Sequence, residues 1–329
     1  MFRIKNTGVY LPETILDNEY FTKIVDTNCE WIETRTGIKE RRKSNVPTHI
    51  LATKAAKEAM SGATVYGKDH SNITPEDIDL IIVSSVTPDY WFPSVSCLVA
   101  REIGAKNAAC FDISVACAGF NYILDIASKQ KFNYALVIGS EVLTKLVDYT
   151  DRSTCVLFGD GAGAFLLEGQ KVYENFMAKY NKNSILSDQH NFLYGSHLGA
   201  EGDGAMCIHN EHTVSGIKQD GKEVYKFATK ILPLAIGKAV EDAGITLDQV
   251  DWFIPHQANL RIIETGAKNL GISLDKFIIT IEKYGNTSSS SIPIAFNDGV
   301  KSGKIKRGDT VCLVGFGSGL VYGGNVFVY

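Results

Sequence analysis

The sequence predicts an α/β protein built from two similar halves of alternating strands and helices. Three observations predict it. Short β-branched runs alternate with longer stretches of helical spacing, the sign of βαβ construction. Two segments of the C-terminal half repeat the form of two segments in the N-terminal half. And 329 residues with 45% hydrophobic and 21% charged content supply enough core for two packed halves.

In the first half, residues 78–85 read as a buried strand, Ala108–Val115 as a second and Tyr134–Gly139 as a third. Between the last two, Phe120, Ile123, Leu124 and Ala127 recur at helical spacing over Gly119–Gln130. In the second half, Leu247–Pro255 has the acidic-turn-then-strand form of Pro75–Val83, and Asp309–Gly315 mirrors Asn133–Gly139. This pairing suggests an internal duplication. The polar, weakly patterned stretch Glu168–Asn191 reads as the linker, dividing the chain into residues 1–172 and 173–329.

Charge and composition exclude several classes. A net charge of −4 argues against a general nucleic-acid binder, which needs a basic excess. No run of about 18 uncharged apolar residues is present, so no membrane span is expected. The first residues lack the apolar core and small-residue cleavage site of a signal peptide. Seven scattered cysteines, an odd number, point to reduced thiols in a cytoplasmic protein. The sequons at Asn72 and Asn286 then carry no glycan.

Three segments carry candidate chemistry. In Ser114-Val-Ala-Cys-Ala-Gly-Phe120 a strand ends and a helix begins around Cys117. A thiol there meets free N–H groups and a dipole that favour thiolate, and small neighbours leave room for an acyl group. Alone, the same cysteine better suits a small buried apolar residue at a strand–helix junction, as Cys110 does in its strand. His256 follows the apolar strand Trp252–Pro255, where open α/β sheets present ligand-facing groups; a structural histidine fits as well. His209 and His212 sit among polar residues and read as exposed. Asn286 lies in Tyr284-Gly-Asn-Thr-Ser-Ser-Ser-Ser291, a polar loop pinned between apolar flanks that either lines a site or forms a surface turn.

Two glycine clusters complete the set. Phe158–Ala164 fits a dinucleotide fingerprint superficially, but the apolar run Phe165-Leu-Leu follows directly and offers no helix N-terminus. Gly315–Gly324 joins two terminal strands and can present backbone N–H groups to an oxyanion. No C-x-x-C pair or H-E-x-x-H motif supports a metal.

Together these segments resemble β-ketoacyl-[acyl-carrier-protein] synthase III, the initiating condensing enzyme of bacterial fatty-acid synthesis, over nearly the whole chain. The motifs are Ala116–Phe120, Pro255–Arg261, Gly285–Ser288 and Gly315–Gly319, with Glu30–Ile38, Phe92–Ser94, Thr150–Arg152 and Asp160–Gly163 in the same order. The Cys–His–Asn set separates it from relatives using cysteine with two histidines or a second active-site cysteine.

The resemblance implies a thiolase-like fold, duplicated βαβαβ halves in a five-layered αβαβα core. It implies that Cys117 takes an acyl group from acyl-coenzyme A, with the backbone N–H groups of Cys117 and Ser318 as oxyanion hole. His256 and Asn286 would then hold the thioester carbonyl of malonyl-acyl-carrier protein during decarboxylation. Trp31, Arg35 and Arg152 match the coenzyme A site, Trp31 and Arg152 gripping opposite faces of the adenine. Lys226, Arg261 and Lys268, with Arg35, match a basic rim for the acidic carrier protein. Phe92 matches a residue closing the partner's acyl pocket in a homodimer, and Gln219 stands where relatives place an apolar pocket residue. No cofactor is implied. Ser318 replaces a common glycine, so its φ/ψ must suit a side chain. Gln219 and the divergent segment 171–210 leave open a pathway-specific synthase with an unusual starter; a non-catalytic acyl-binding scaffold and a cysteine hydrolase are the other readings.

Overall fold

The computed structural model describes residues 1–64, 72–180, 194–211 and 216–329, with side chains described in those ranges except at 176–180. The elements that build the core are β1 (Phe2–Tyr10), α1 (Thr48–Met60), β2 (Ile78–Ser84), α2 (Val95–Ile103), β3 (Ala109–Ile113), α3 (Gly119–Ser128), β4 (Tyr134–Val142) and β5 (Asp160–Gly169). They continue as β6 (Tyr194–Ala200), α4 (Gly221–Asp242), β7 (Trp252–Pro255), α5 (Leu260–Leu270), α6 (Ser291–Lys301), β8 (Thr310–Gly317) and β9 (Val321–Val328).

Among the described residues two large sheets form, ordered β1-β5-β4-β2-β3 and β7-β8-β9-β6. The duplication suggested by the sequence extends to pairing. β1 and β6 run antiparallel to β5 and β9, and β4 and β8 run parallel to β2 and β7. The parallel edge strand β3 has its counterpart in an isolated parallel bridge from Phe253 to Phe277. Even the entry turns match: Thr74 caps Pro75–Asp77 before β2, and Thr246 caps Leu247–Gln249 before β7, each with a reciprocal side-chain box.

Five layers follow from how the strands sort their side chains. In β2, Ile81 and Val83 face Leu51, Ala55 and Val99 of α1 and α2, while Leu80 and Ile82 face the opposite side. That opposite side holds α3 and α6, whose Phe120, Ile123, Ile292 and Phe296 pack against both sheets at once. Beyond the second sheet, Ile231, Leu232 and Ile263 of α4 and α5 cover Phe253 and Val314. Both central helices are therefore apolar on two faces. The order is αβαβα.

The proposed linker is corrected in part. β5 runs through Glu168 to Gly169 and a helix occupies Gln170–Tyr180, since Val172 packs back on the first core and Tyr173 is buried. The rest of that stretch, 181–191, and His212 lie outside the described residues. The Phe158–Ala164 glycine cluster leads into strand β5 and no helix, as its apolar continuation predicts. No described helix is long and apolar enough to cross a membrane.

Candidate active site

The chain reverses direction twice at the meeting of the two halves, and each reversal carries a candidate residue. After β3, Ala116 takes a left-handed φ of 44° and a single 3-10 turn, Ala116–Ala118, presents Cys117 just before α3. After the Phe277 bridge, Gly285 (φ 62°) and Ser288 (φ 53°) turn the chain through Asn286 into α6. The strained positions point both segments at the same space.

That space is a cavity of about 700 Å³, lined by Cys117, His256, Asn286, Ser288, Ser318 and residues of several loops. Close backbone approach creates it. A β-carbon at Gly317 would fall 2.8 Å from the Cys117 nitrogen, and one at Gly139 would fall 2.5 Å from the Ser289 carbonyl oxygen. Only glycine allows both contacts.

Cys117 remains partly accessible from the cavity, but its thiol is pushed up to about 12, by burial first, with Glu141 adding to the rise and Ser288 opposing it. The backbone N–H at the helix start acts toward thiolate, as expected, but burial outweighs it. A three-unit rise corresponds to about 4 kcal/mol, against the ~0.3–1 kcal/mol that a helix terminus returns. Burial wins.

His256 is 1% exposed and follows β7 directly. Its N–H donates to Val314 O at 2.7 Å, and its Nδ1 lies 2.7 Å from Ser291 Oγ. Burial lowers it to about 3, so the imidazole is neutral. Thiol and imidazole thus form no ion pair in the resting site. The neighbouring Gln257 fixes the strand end: its Nε2 donates to Pro255 O and Ile278 O, and its Oε1 accepts from Thr280 and Ile281. Asn286 is tied to Phe158 by a parallel bridge, and its Oδ1 accepts from Ser288 N–H at 2.9 Å. The carboxamide NH₂ is the end left for the cavity.

Ser318 also lines the cavity, and its φ lies outside the left-handed region, so a side chain costs no backbone strain there. Its hydroxyl donates to Ile208 O. Gln219 pairs with Ile208 in a short hairpin and faces the cavity, as does His209. His209 is thus half-buried at the wall and not exposed as its polar neighbours suggest.

The expected coenzyme A residues lie elsewhere. Arg152 stacks on Trp31 with its guanidinium 4.9 Å from the ring centroid, held by Asp26 O at 2.8 Å. A planar base between them needs about 7 Å, two van der Waals contacts of ~3.5 Å, so here the pair closes on itself. Arg35, Lys226, Arg261 and Lys268 are all exposed. Lys226 and Arg261 each adjoin a cavity residue, Tyr225 and Ile262. The rim is mixed in charge: Arg261 shares a groove with Glu33, Glu264 and Glu282, and Lys226 lies 3.8 Å from Glu223. Phe92 is 86% exposed and does not line this chain's cavity.

Glu141 was not anticipated. It lies next to the last residue of β4, fully buried, and accepts from Ser85, Thr87 and Ser289 hydroxyls and from Val86 N–H. Burial raises its carboxyl to about 7. A charged residue closing a buried strand was the available signal. Among the described residues no cluster of three or more His, Cys, Asp or Glu is placed to hold a metal.

Comparison with known proteins agrees with this geometry. Residues 111–184 match the family model described as 3-oxoacyl-[acyl-carrier-protein (ACP)] synthase III, and residues 240–329 match that of its C terminal. β-Ketoacyl-[acyl-carrier-protein] synthase III of Clostridium acetobutylicum is 45% identical over 98% of this chain and 97% of its own. That of Oceanobacillus iheyensis is 46% identical over 97% and 96%. The crystal structure of 3-oxoacyl-[acyl-carrier-protein] synthase III from Aquifex aeolicus superposes with a TM-score of 0.89 at 41% identity, covering all of both chains. A priming β-ketosynthase from a polyketide biosynthetic pathway gives 0.86 at 32% identity, over 100% of this chain and 96% of that one.

Proposed function

The chain belongs to the β-ketoacyl-[acyl-carrier-protein] synthase III family, and from that premise we propose how its residues carry an acyl-transferring condensation. It is a condensing enzyme: it joins an acyl group from acyl-coenzyme A to malonyl-acyl-carrier protein, the step that initiates fatty-acid synthesis. The observation that supports this most is the convergence of Cys117, His256 and Asn286, from three separate segments, on one cavity wall.

In the first half-reaction the Cys117 thiol gives up its proton, its sulfur attacks the thioester carbonyl and bonds to carbon, and coenzyme A leaves as a thiolate that takes up a proton. The backbone N–H groups of Cys117 and Ser318 receive the oxyanion.

In the second half-reaction malonyl-acyl-carrier protein loses carbon dioxide. The negative charge on its thioester oxygen is held by His256 Nε2–H and the Asn286 NH₂. The partners of each side chain support these roles. Ser291 Oγ accepts from Gln257 N–H and donates to His256 Nδ1, which leaves the ring proton on Nε2, toward the cavity. Ser288 N–H fixes the Asn286 amide the right way round. The enolate carbon then attacks the acyl-cysteine, and the β-ketoacyl product departs with Cys117 restored.

For coenzyme A the reading places the adenine between Trp31 and Arg152, which must first part; Arg35 lies on the same helix as Trp31. Lys226, Arg261 and Lys268, all exposed, serve as the carrier-protein contact, the first two next to residues of the cavity wall. Phe92, exposed just before α2, serves the partner's acyl pocket in a homodimer. The boundary near residue 172 separates the half holding Cys117 from the half holding His256 and Asn286.

The test is product formation: acetyl-coenzyme A with malonyl-acyl-carrier protein is expected to release carbon dioxide and yield acetoacetyl-acyl-carrier protein. A protein that only hydrolyses the thioester contradicts the reading. Gln219 on the cavity wall favours a second reading, a starter other than acetyl, which a panel of acyl-coenzyme A thioesters decides.

A further inference from the structure

We propose that Ser288 is a further catalytic residue, whose hydroxyl donates a hydrogen bond to the Cys117 sulfur while that sulfur is negatively charged. The inference rests on the reading of Cys117 as the acyl-accepting nucleophile. Four features of the loop carry it.

Ser288 is 2% exposed and lines the cavity beside Cys117, yet its Oγ has no hydrogen-bond partner in the resting site. A buried hydroxyl without a partner is costly unless it serves another state. Its φ of 53° is a conformation that residues with a β-carbon rarely adopt. The residue is held there from both sides: its own N–H donates to Asn286 Oδ1, and Ser289 Oγ donates to Glu141 at 2.8 Å and contacts Ser84 O at 3.1 Å. And the turn Ser288–Ser290 packs against the turn Ala116–Ala118 that presents Cys117, where Ser288 acts on the thiol in favour of thiolate.

Between departure of the thiol proton to solvent and formation of the Sγ–C bond, the sulfur carries a full charge. The Ser288 hydroxyl meets that charge, and the coenzyme A thiolate later takes up a proton as it leaves. The titratable groups near the sulfur are Glu141 at the end of β4 and His256 after β7. Glu141 bonds to Ser85, Val86, Thr87 and Ser289, and His256 to Ser291, so neither occupies the Ser288 hydroxyl.

The experiment compares wild type, S288A and S288G for the pH dependence of Cys117 alkylation by iodoacetamide, for acyl transfer from acetyl-coenzyme A, and for malonyl-acyl-carrier-protein decarboxylation. S288G removes the hydroxyl while easing the backbone, so it serves if S288A folds poorly. Both variants are expected to lose about tenfold in alkylation and acylation near pH 8, as for loss of one charge-assisted hydrogen bond, with the alkylation profile moved upward by about one pH unit. The upward move of the alkylation profile is the readout that a merely structural role of Ser288 does not give. An unchanged alkylation profile in both variants overturns the proposal, whether or not decarboxylation falls. A wild-type protein that takes no acyl group contradicts the functional reading itself, and the alkylation profile still decides the contact between Ser288 and Cys117.

Discussion

Ala116 and Ser288 occupy the same place in the two halves of the chain: each sits three residues before a central helix, α3 or α6, and opens a 3-10 turn with a left-handed backbone. They are the non-glycine residues with positive φ among the described residues. The duplicated architecture therefore makes one strained corner twice and uses the two copies differently. In the first half the residue after the corner is the nucleophile. In the second, the residues before it present the amide of Asn286.

The approach of Gly317 to Cys117 leads to the first prediction. G317A puts a β-carbon 2.8 Å from the Cys117 nitrogen, and backbone cannot yield as a flexible side chain does. Acyl transfer to Cys117 is expected to fall more than a hundredfold, with a stability loss of about 1–3 kcal/mol. Mass spectrometry of the loaded protein and urea unfolding measure the two effects; loading at the wild-type rate would show that the contact is dispensable.

A second prediction concerns the state of His256. Its native value of about 3 lies below the value of 6.5 in the unfolded chain. The native site binds fewer protons, so its stability contribution is present above pH 6.5 and is lost as the pH falls below it. Between pH 6.5 and 5 the wild type should lose roughly 2 kcal/mol more than H256Q in urea unfolding. Nitrogen shifts of the labelled ring should stay those of neutral imidazole from pH 8 to 5. An imidazolium signal at pH 5.5 would refute this.

Much of this was legible in the sequence. The strand at 78–85 follows from its short apolar run and the helix after Cys117 from the 3.6-residue period, and the duplicated entry turns from Pro75–Asp77 and Leu247–Gln249. The polar run Ser288–Ser291 was readable as a site lining because its flanks are apolar. Three things were not readable. The acidity of Cys117 depends on how deeply other elements bury it, which no local pattern reports. His209 sits among polar neighbours, and only the hairpin with Lys218–Gln219 turns it to the cavity. Glu141 is defined by four partners from two other segments, and Arg152 lies on Trp31 across 121 positions of chain; such contacts exist only in three dimensions.

Ser291 supplies a third prediction, since it sets the tautomer of His256. In S291A the ring proton is no longer confined to Nε2. Malonyl-acyl-carrier-protein decarboxylation should drop by about ten- to a hundredfold, while acyl loading of Cys117 changes little. N286D should do the same and more, by about 10² to 10³, because a carboxylate cannot donate to the enolate oxygen. Equal losses in both half-reactions would instead mark these residues as general supports of the fold.

A fourth prediction separates binding from chemistry. W31A removes one face of the proposed adenine clamp and nothing from the cavity wall. KM for acyl-coenzyme A should rise about tenfold, with kcat within twofold and KM for malonyl-acyl-carrier protein unchanged. A fall in kcat at constant KM would place Trp31 outside coenzyme A binding.

The account turns on Cys117 as the atom that carries the acyl group. Acetyl-coenzyme A added without malonyl-acyl-carrier protein should leave one acetyl group per chain, and the digest should locate it on the peptide containing Cys117. C117A should take up none. An acetyl group on another residue, or release of free acetate with no acylated protein at any time point, would contradict the central claim.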